Sequence, residues 1–128
     1  VRALLDTHVF LWANTDPERL GRQRSLVEEG TVGLVLSVAS SWEIAIKYGL
    51  GRLALPEEPR RYVPERLRRL GAESLAIEHG HALAVADLPP IHADPFDRLL
   101  VAQAKLLDIP IVTADPRIAQ YQVQTLSP

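Results

Sequence analysis

Ala3-Leu4-Leu5-Asp6 is a short apolar run that ends on a carboxylate, and Ile109-Pro110-Ile111-Val112-Thr113-Ala114-Asp115 has much the same form near the other end of the chain. Runs this short and apolar fit strands buried on both faces of a sheet. The pattern predicts strands at residues 2–5, 33–36, 74–77, 110–113 and 123–126, bounded by turn formers or charge. Segments of helical period lie around them, at 8–14, 17–29, 37–49, 59–70, 78–86, 95–107 and 116–121. This alternation predicts an α/β protein, a three-layer α/β/α sandwich with a central, mainly parallel sheet of four or five strands. Without a linker, repeat or low-complexity tract, residues 1–128 read as a single domain.

Composition narrows the function. The chain is 47% apolar, which excludes intrinsic disorder. No uninterrupted apolar stretch approaches the roughly 20 residues of a membrane span, and the N-terminus shows no signal-peptide pattern, so the expected location is cytoplasmic. The absence of cysteine excludes disulfides, thiolate zinc sites and cysteine nucleophiles. A net charge of −2 gives no general attraction for nucleic acid. Arg60, Arg61, Arg66, Arg68 and Arg69 do cluster. They read as a solvated helix face balanced by Glu57, Glu58 and Glu65, or as a patch that steers phosphate.

Four acids stand at the ends of apolar segments. Asp6 and Asp115 follow two of the expected strands, Glu43 comes shortly after Leu34-Val35-Leu36, and Asp97 opens the run from Leu99 to Ala102. In open α/β sheets ligands collect at the carboxyl ends of strands, where these acids converge if the strands pair side by side. Two carboxylates about 4 Å apart repel by roughly 4 kcal/mol at an effective dielectric near 20. Four of them require protons or cations.

Other roles compete for these acids. Asp16-Pro17, Asp94-Pro95 and Asp115-Pro116 each form a helix-start signal, with Asp accepting first-turn amide hydrogens and Pro needing no amide partner. Capping accounts for Asp16 and Asp94; Asp115 differs because a strand runs almost directly into it. In segment 37–49, Val38, Trp42, Ala45 and Ile46 share a face that reads as core packing. Glu43 lies at its boundary, either as a surface residue or facing inward over the sheet edge. Trp12, Trp42 and Tyr48 read as core or dimer packing.

All-oxygen ligation suits Mg2+ or Mn2+ rather than zinc. The histidines at 8, 79, 81 and 92 show no spacing that argues for a shared metal. No serine elbow, dinucleotide fingerprint or P-loop is present. A carboxylate-held Mg2+ would bind phosphate oxygens and activate water, which is phosphodiester hydrolysis. Asp6 and Asp97 are the expected direct ligands; Glu43 and Asp115 complete the cage, directly or through water, or orient the attacking water. Thr7 and Thr113 read as turn or capping hydroxyls that also have carboxylate, water and phosphate within their chemistry.

These residues resemble a known family. Leu4-Leu5-Asp6-Thr7-His8-Val9-Phe10-Leu11-Trp12 is similar to the opening of PIN-domain ribonucleases, in particular VapC-type toxins of toxin–antitoxin pairs. Ser37 to Lys47 with Leu50-Gly51-Arg52-Leu53, the stretch His92 to Ala104, and Thr113-Ala114-Asp115 resemble the later motifs, in the same order. The resemblance implies Asp6, Glu43, Asp97 and Asp115 as an acidic quartet in catalysis and metal binding. It also implies Mg2+- or Mn2+-dependent cleavage of single-stranded RNA, a homodimer, and a cognate antitoxin whose segment enters the active-site groove. In the third motif it favours Asp97 over Asp94 as ligand. A housekeeping RNA-processing nuclease and a non-catalytic binding domain are the alternatives. A haloacid-dehalogenase phosphatase is disfavoured, because that chemistry wants an acid two positions after Asp6, where His8 stands.

Overall fold

The computed structural model describes residues 1–128. Strands β1 (Arg2–Leu5), β2 (Gly33–Ser37), β3 (Glu73–Leu75), β4 (Ile111–Val112) and β5 (Thr125–Leu126) form one sheet in the order β3-β2-β1-β4-β5. Every neighbouring pair is parallel, and central Leu4 lies opposite Val35 on one side and Ile111 on the other. Because strand side chains alternate, each strand supplies two cores. Ala3, Leu5, Leu34, Leu36 and Val112 join Phe10, Leu20 and Tyr62, while Leu4, Val35 and Ile111 join Leu100, Val101 and Ile118.

Helices α1 (Thr7–Thr15), α2 (Arg24–Glu28) and α4 (Pro59–Leu70) contribute to the first core; α5 (His79–Ala84) and α6 (Pro95–Leu107) contribute to the second. Helix α3 (Val38–Gly49) straddles both, giving Ile44 to the first and Ala39 to the second. The result is the expected three-layer sandwich with a five-stranded sheet. Each fully buried Leu, Ile or Val in these cores contributes about 1.5–3 kcal/mol. No helix is long and apolar enough to cross a membrane.

Local expectations fail where backbone geometry intervenes. The helix expected at 17–29 is a 3-10 segment (Pro17–Gln23) followed by the short α2, with the break at Gly21, whose φ is +52°. A Cβ there would meet the backbone of Pro128 at 3.0 Å, so the break also seats the chain's last residues. Segment 116–121 holds only a 3-10 turn at Ile118–Gln120. The Asp16 side chain accepts no capping bond, whereas Asp94 caps α6 as expected, accepting from the amides of Phe96 (2.8 Å) and Asp97 (3.3 Å).

The largest correction concerns α3. Val38, Trp42, Ala45 and Ile46, expected in the core, are exposed, with Trp42 at 56%. The buried face is Ala39, Ser40, Glu43 and Ile44. Straddling the sheet end turns this face inward and leaves the more apolar stripe outside. Most arginines of α4 face solvent, which fits both a solvated face and a phosphate-steering patch. Arg60, Arg61, Arg68 and Arg69 are exposed, Glu65 pairs with Arg66 (3.0 Å) and Arg69 (2.8 Å), and Arg66 stacks on the Tyr62 ring.

Candidate active site

Strand order reverses between β1 and β4, so the carboxyl ends of these neighbours lie side by side while the connections leaving them run to opposite sides of the sheet. Asp6 immediately follows β1, and Thr113 and Asp115 follow β4. Ser37 caps α3 at the end of β2, its Oγ accepting from the Ala39 amide (3.0 Å), and the helix carries Glu43 inward. The Asp94-Pro95 start of α6 sets Asp97 in that helix's first turn.

All four acids are at least partly removed from solvent, Asp6 at 4% and Glu43 at 2% exposure, with Asp97 and Asp115 less deeply covered. Asp97 and Asp115 are joined by a residue that the spacing argument passed over. His92 Nε2 lies 2.8 Å from Asp97 Oδ2 and 3.1 Å from Asp115 Oδ2, and one ligand atom from each of the three residues falls within 4.8 Å of the others. Asp6 and Glu43 stand outside that trio yet close enough for their charges to act on Asp97. The Thr113 hydroxyl donates to Asp6 Oδ2 (2.7 Å). Thr7 donates instead to Ser40 Oγ (2.8 Å), tying α1 to α3.

Cations ring the acids. Lys47 Nζ donates to Glu43 Oε2 (2.6 Å), and Arg117 reaches Asp115 through its amide (2.9 Å) and guanidinium (3.3 Å). Neither basic residue was assigned a role from sequence. Lys47 at i+4 from Glu43 was available as a helix-pair signal. His92, five residues before Asp97 in a loop, offers no periodic signal.

The protonation pattern follows from these surroundings. Burial, then the charges of Asp6, Asp94, Glu43 and Asp115, push the Asp97 carboxyl up to about 8. Burial also raises Asp6, with Glu43 adding to the shift and the Thr113 hydroxyl and His8 opposing it. Burial acts upward on Asp115 too, but hydrogen bonds from Arg117 and His92 prevail and hold it below the usual carboxylate value. The hydrogen bond to Glu43 raises Lys47. Two deeply buried oxygens, Asp6 Oδ1 and Glu43 Oε1, have no hydrogen-bond partner. Unsatisfied buried carboxylate oxygens beside a cluster of like charge are the donor set that a hard divalent cation takes.

Comparison with known proteins speaks to family and fold. Ribonuclease VapC16 of Mycobacterium tuberculosis is 42% identical over 64 residues, a stretch covering 50% of this chain and 45% of that protein, so the match spans about half the length of each. The fold is similar to VapBC2 from Rickettsia felis, solved bound to a DNA fragment from their promoter, with TM-score 0.74 and 14% identity over 99% of this chain and 98% of the other. DNA-bound VapBC from Salmonella typhimurium gives TM-score 0.70 and 17% identity over 99% and 98% of the two chains. FitAcB from Neisseria gonorrhoeae gives 0.65 and 21% over 97% and 96%. At such identities these structures speak to the fold alone. The family model for the PIN domain matches residues 3–124, nearly the whole folded unit including all four acids, and this chain therefore belongs to the PIN domain family.

Proposed function

We propose that this protein is a VapC-type endoribonuclease that uses Mg2+ or Mn2+ to cleave single-stranded RNA, held in check by a cognate antitoxin. The observation that carries the reading is the pair of buried, partnerless oxygens on Asp6 and Glu43, next to Asp97 and Asp115 at the strand-order switch. These four acids are the proposed holders of the ion and the catalytic set, with Asp6 and Asp97 in direct contact. When bound, the ion supplies Lewis-acid polarisation of the phosphoryl oxygen and an acidified water.

The chain's own residues prepare for that chemistry. Burial and the neighbouring acids favour the protonated form of Asp97, which must release its proton to act as a ligand. Thr113 fixes one oxygen of Asp6 and leaves the other free. Lys47 and Arg117, each spread over an acid, are positioned to receive phosphate charge as well. A single-stranded substrate is supported by the resemblance of the four motifs to VapC-type ribonucleases.

Two partner surfaces support the remaining parts of the reading. A cavity of about 220 Å³ beside the acids, lined by Thr7, His8, Leu11, Ile44, Lys47 and Arg52 among others, suits entry of an antitoxin segment. The exposed stripe of Val38, Trp42 and Ile46 adjoins a groove of about 230 Å³ lined by Trp42, Ala82, Val85, Pro95, Phe96 and Leu99. Apolar surface of this kind favours a homodimer. The direct test incubates the protein with matched single-stranded and duplex RNA in Mg2+, Mn2+ or chelator. Internal cleavage of the single strand that stops in chelator is expected; chelator-resistant cleavage, or equal cutting of the duplex, refutes the reading.

A further inference from the structure

His92, Asp97 and Asp115 look like a ready-made nitrogen and oxygen ligand set. The hydrogen bonds around the imidazole give it a different task. The Asp94 amide donates to His92 Nδ1 (3.2 Å). A ring nitrogen that accepts a hydrogen bond carries no proton, so the proton of the neutral imidazole resides on Nε2. That N–H faces both carboxylates, at 2.8 Å from Asp97 and 3.1 Å from Asp115. The lone pair a metal needs is on the opposite side of the ring, occupied by the Asp94 amide.

We propose that His92 is a positioning residue, a buried Nε2–H donor that clamps Asp97 and Asp115 together, rather than a ligand of the ion. The inference rests on the reading of these acids as a metal site. The clamp is itself held. The His92 amide donates to Tyr121 Oη (2.9 Å), and the ring is almost fully buried. Asp94 contributes twice, capping α6 with its carboxylate and setting the imidazole with its amide. One loop residue thus couples the start of α6, which carries Asp97, to the segment after β4, which carries Asp115. Partners of this outer kind orient the ligands and fix their spacing before the ion arrives.

The test has two parts, both on the full chain. Long-range nitrogen–proton NMR on the chelator-treated protein is expected to show pyrrole-like Nε2 and pyridine-like Nδ1 for His92, unchanged at saturating Mg2+. A proton on Nδ1, before or after Mg2+, overturns the proposal. Calorimetric Mg2+ titration is expected to find His92→Ala weakened about 10- to 100-fold and His92→Gln, which keeps an N–H donor, within about threefold of the unmodified protein. Equal affinities throughout, or a Gln variant as weak as Ala, overturn it as well. The tautomer measurement needs neither a variant that folds nor a bound ion. An unmodified protein that binds no Mg2+ therefore refutes the metal reading, while the position of the His92 proton still decides the clamp.

Discussion

Thr113 Oγ1 donates to Asp6 Oδ2 across 2.7 Å, tying the ends of neighbouring strands β4 and β1 at the floor of the acidic site. The same hydroxyl accepts from the Asp115 amide (3.0 Å), so one side chain sets two of the four acids. Thr113→Val keeps the shape and removes both bonds, leaving a second Asp6 oxygen buried without a partner. Denaturant unfolding is expected to show a loss of about 1–3 kcal/mol, largely recovered in Thr113→Ser. A Val variant as stable as the original protein would contradict this role.

Asp97 should impose a pH dependence on stability. Its carboxyl lies at about 8 in the folded chain against an ordinary value of 3.8. Between those limits the folded state binds a proton that the unfolded state has lost, so stability falls as pH rises from about 4 to about 8. Asp6, also raised by burial, adds a dependence of the same sign above 3.8, whereas Asp115, shifted downward, contributes only below its ordinary value of 3.8. In chelator, Asp97→Asn should reduce the slope, leaving the part due to Asp6, and melt higher than the original protein at pH 8, by roughly 4 °C for each kcal/mol gained. An Asn variant that melts lower there would argue against a repulsive cluster.

Divalent ions should reverse that penalty. Mg2+ or Mn2+ at about 100 times the dissociation constant stabilises by about 2.7 kcal/mol if the unfolded chain does not bind it. Thermal melts at pH 8 are expected to rise with added ion in the original protein and much less in Asp6→Asn. Equal gains in both would place ion binding elsewhere.

Trp42 is 56% exposed and meets the Phe96 ring edge-on with centroids 5.1 Å apart. In a dimer built on this stripe, Trp42→Glu should cost at least about 2 kcal/mol of association, roughly 30-fold in the dimer dissociation constant, beyond the roughly 0.5–1.5 kcal/mol that the separated subunit loses with the Phe96 contact. Sedimentation that returns the same mass for both proteins rules out this face as the dimer contact.

The sheet was legible because buried parallel strands make short apolar runs, which Asp6 follows directly and Asp115 after two residues. Asp94 and Asp97 were separable because an Asp-Pro start marks a cap and the next turn. Glu43 was not decidable from the residues of α3. Helical period shows that Val38, Trp42 and Ile46 share a face, but not whether that face meets this chain's core or solvent. His92 stayed hidden for another reason: its partners come from α6 and from beyond β4, and only the closed fold brings them to one imidazole.

The most direct test of the central claim compares the protein with Asp97→Asn on single-stranded RNA, each with Mn2+ and with chelator. The metal-centred account predicts cleavage by the original protein in Mn2+, none in chelator, and a rate at least about 100-fold lower for the Asn variant despite its intact fold. Equal cleavage by both proteins would contradict it.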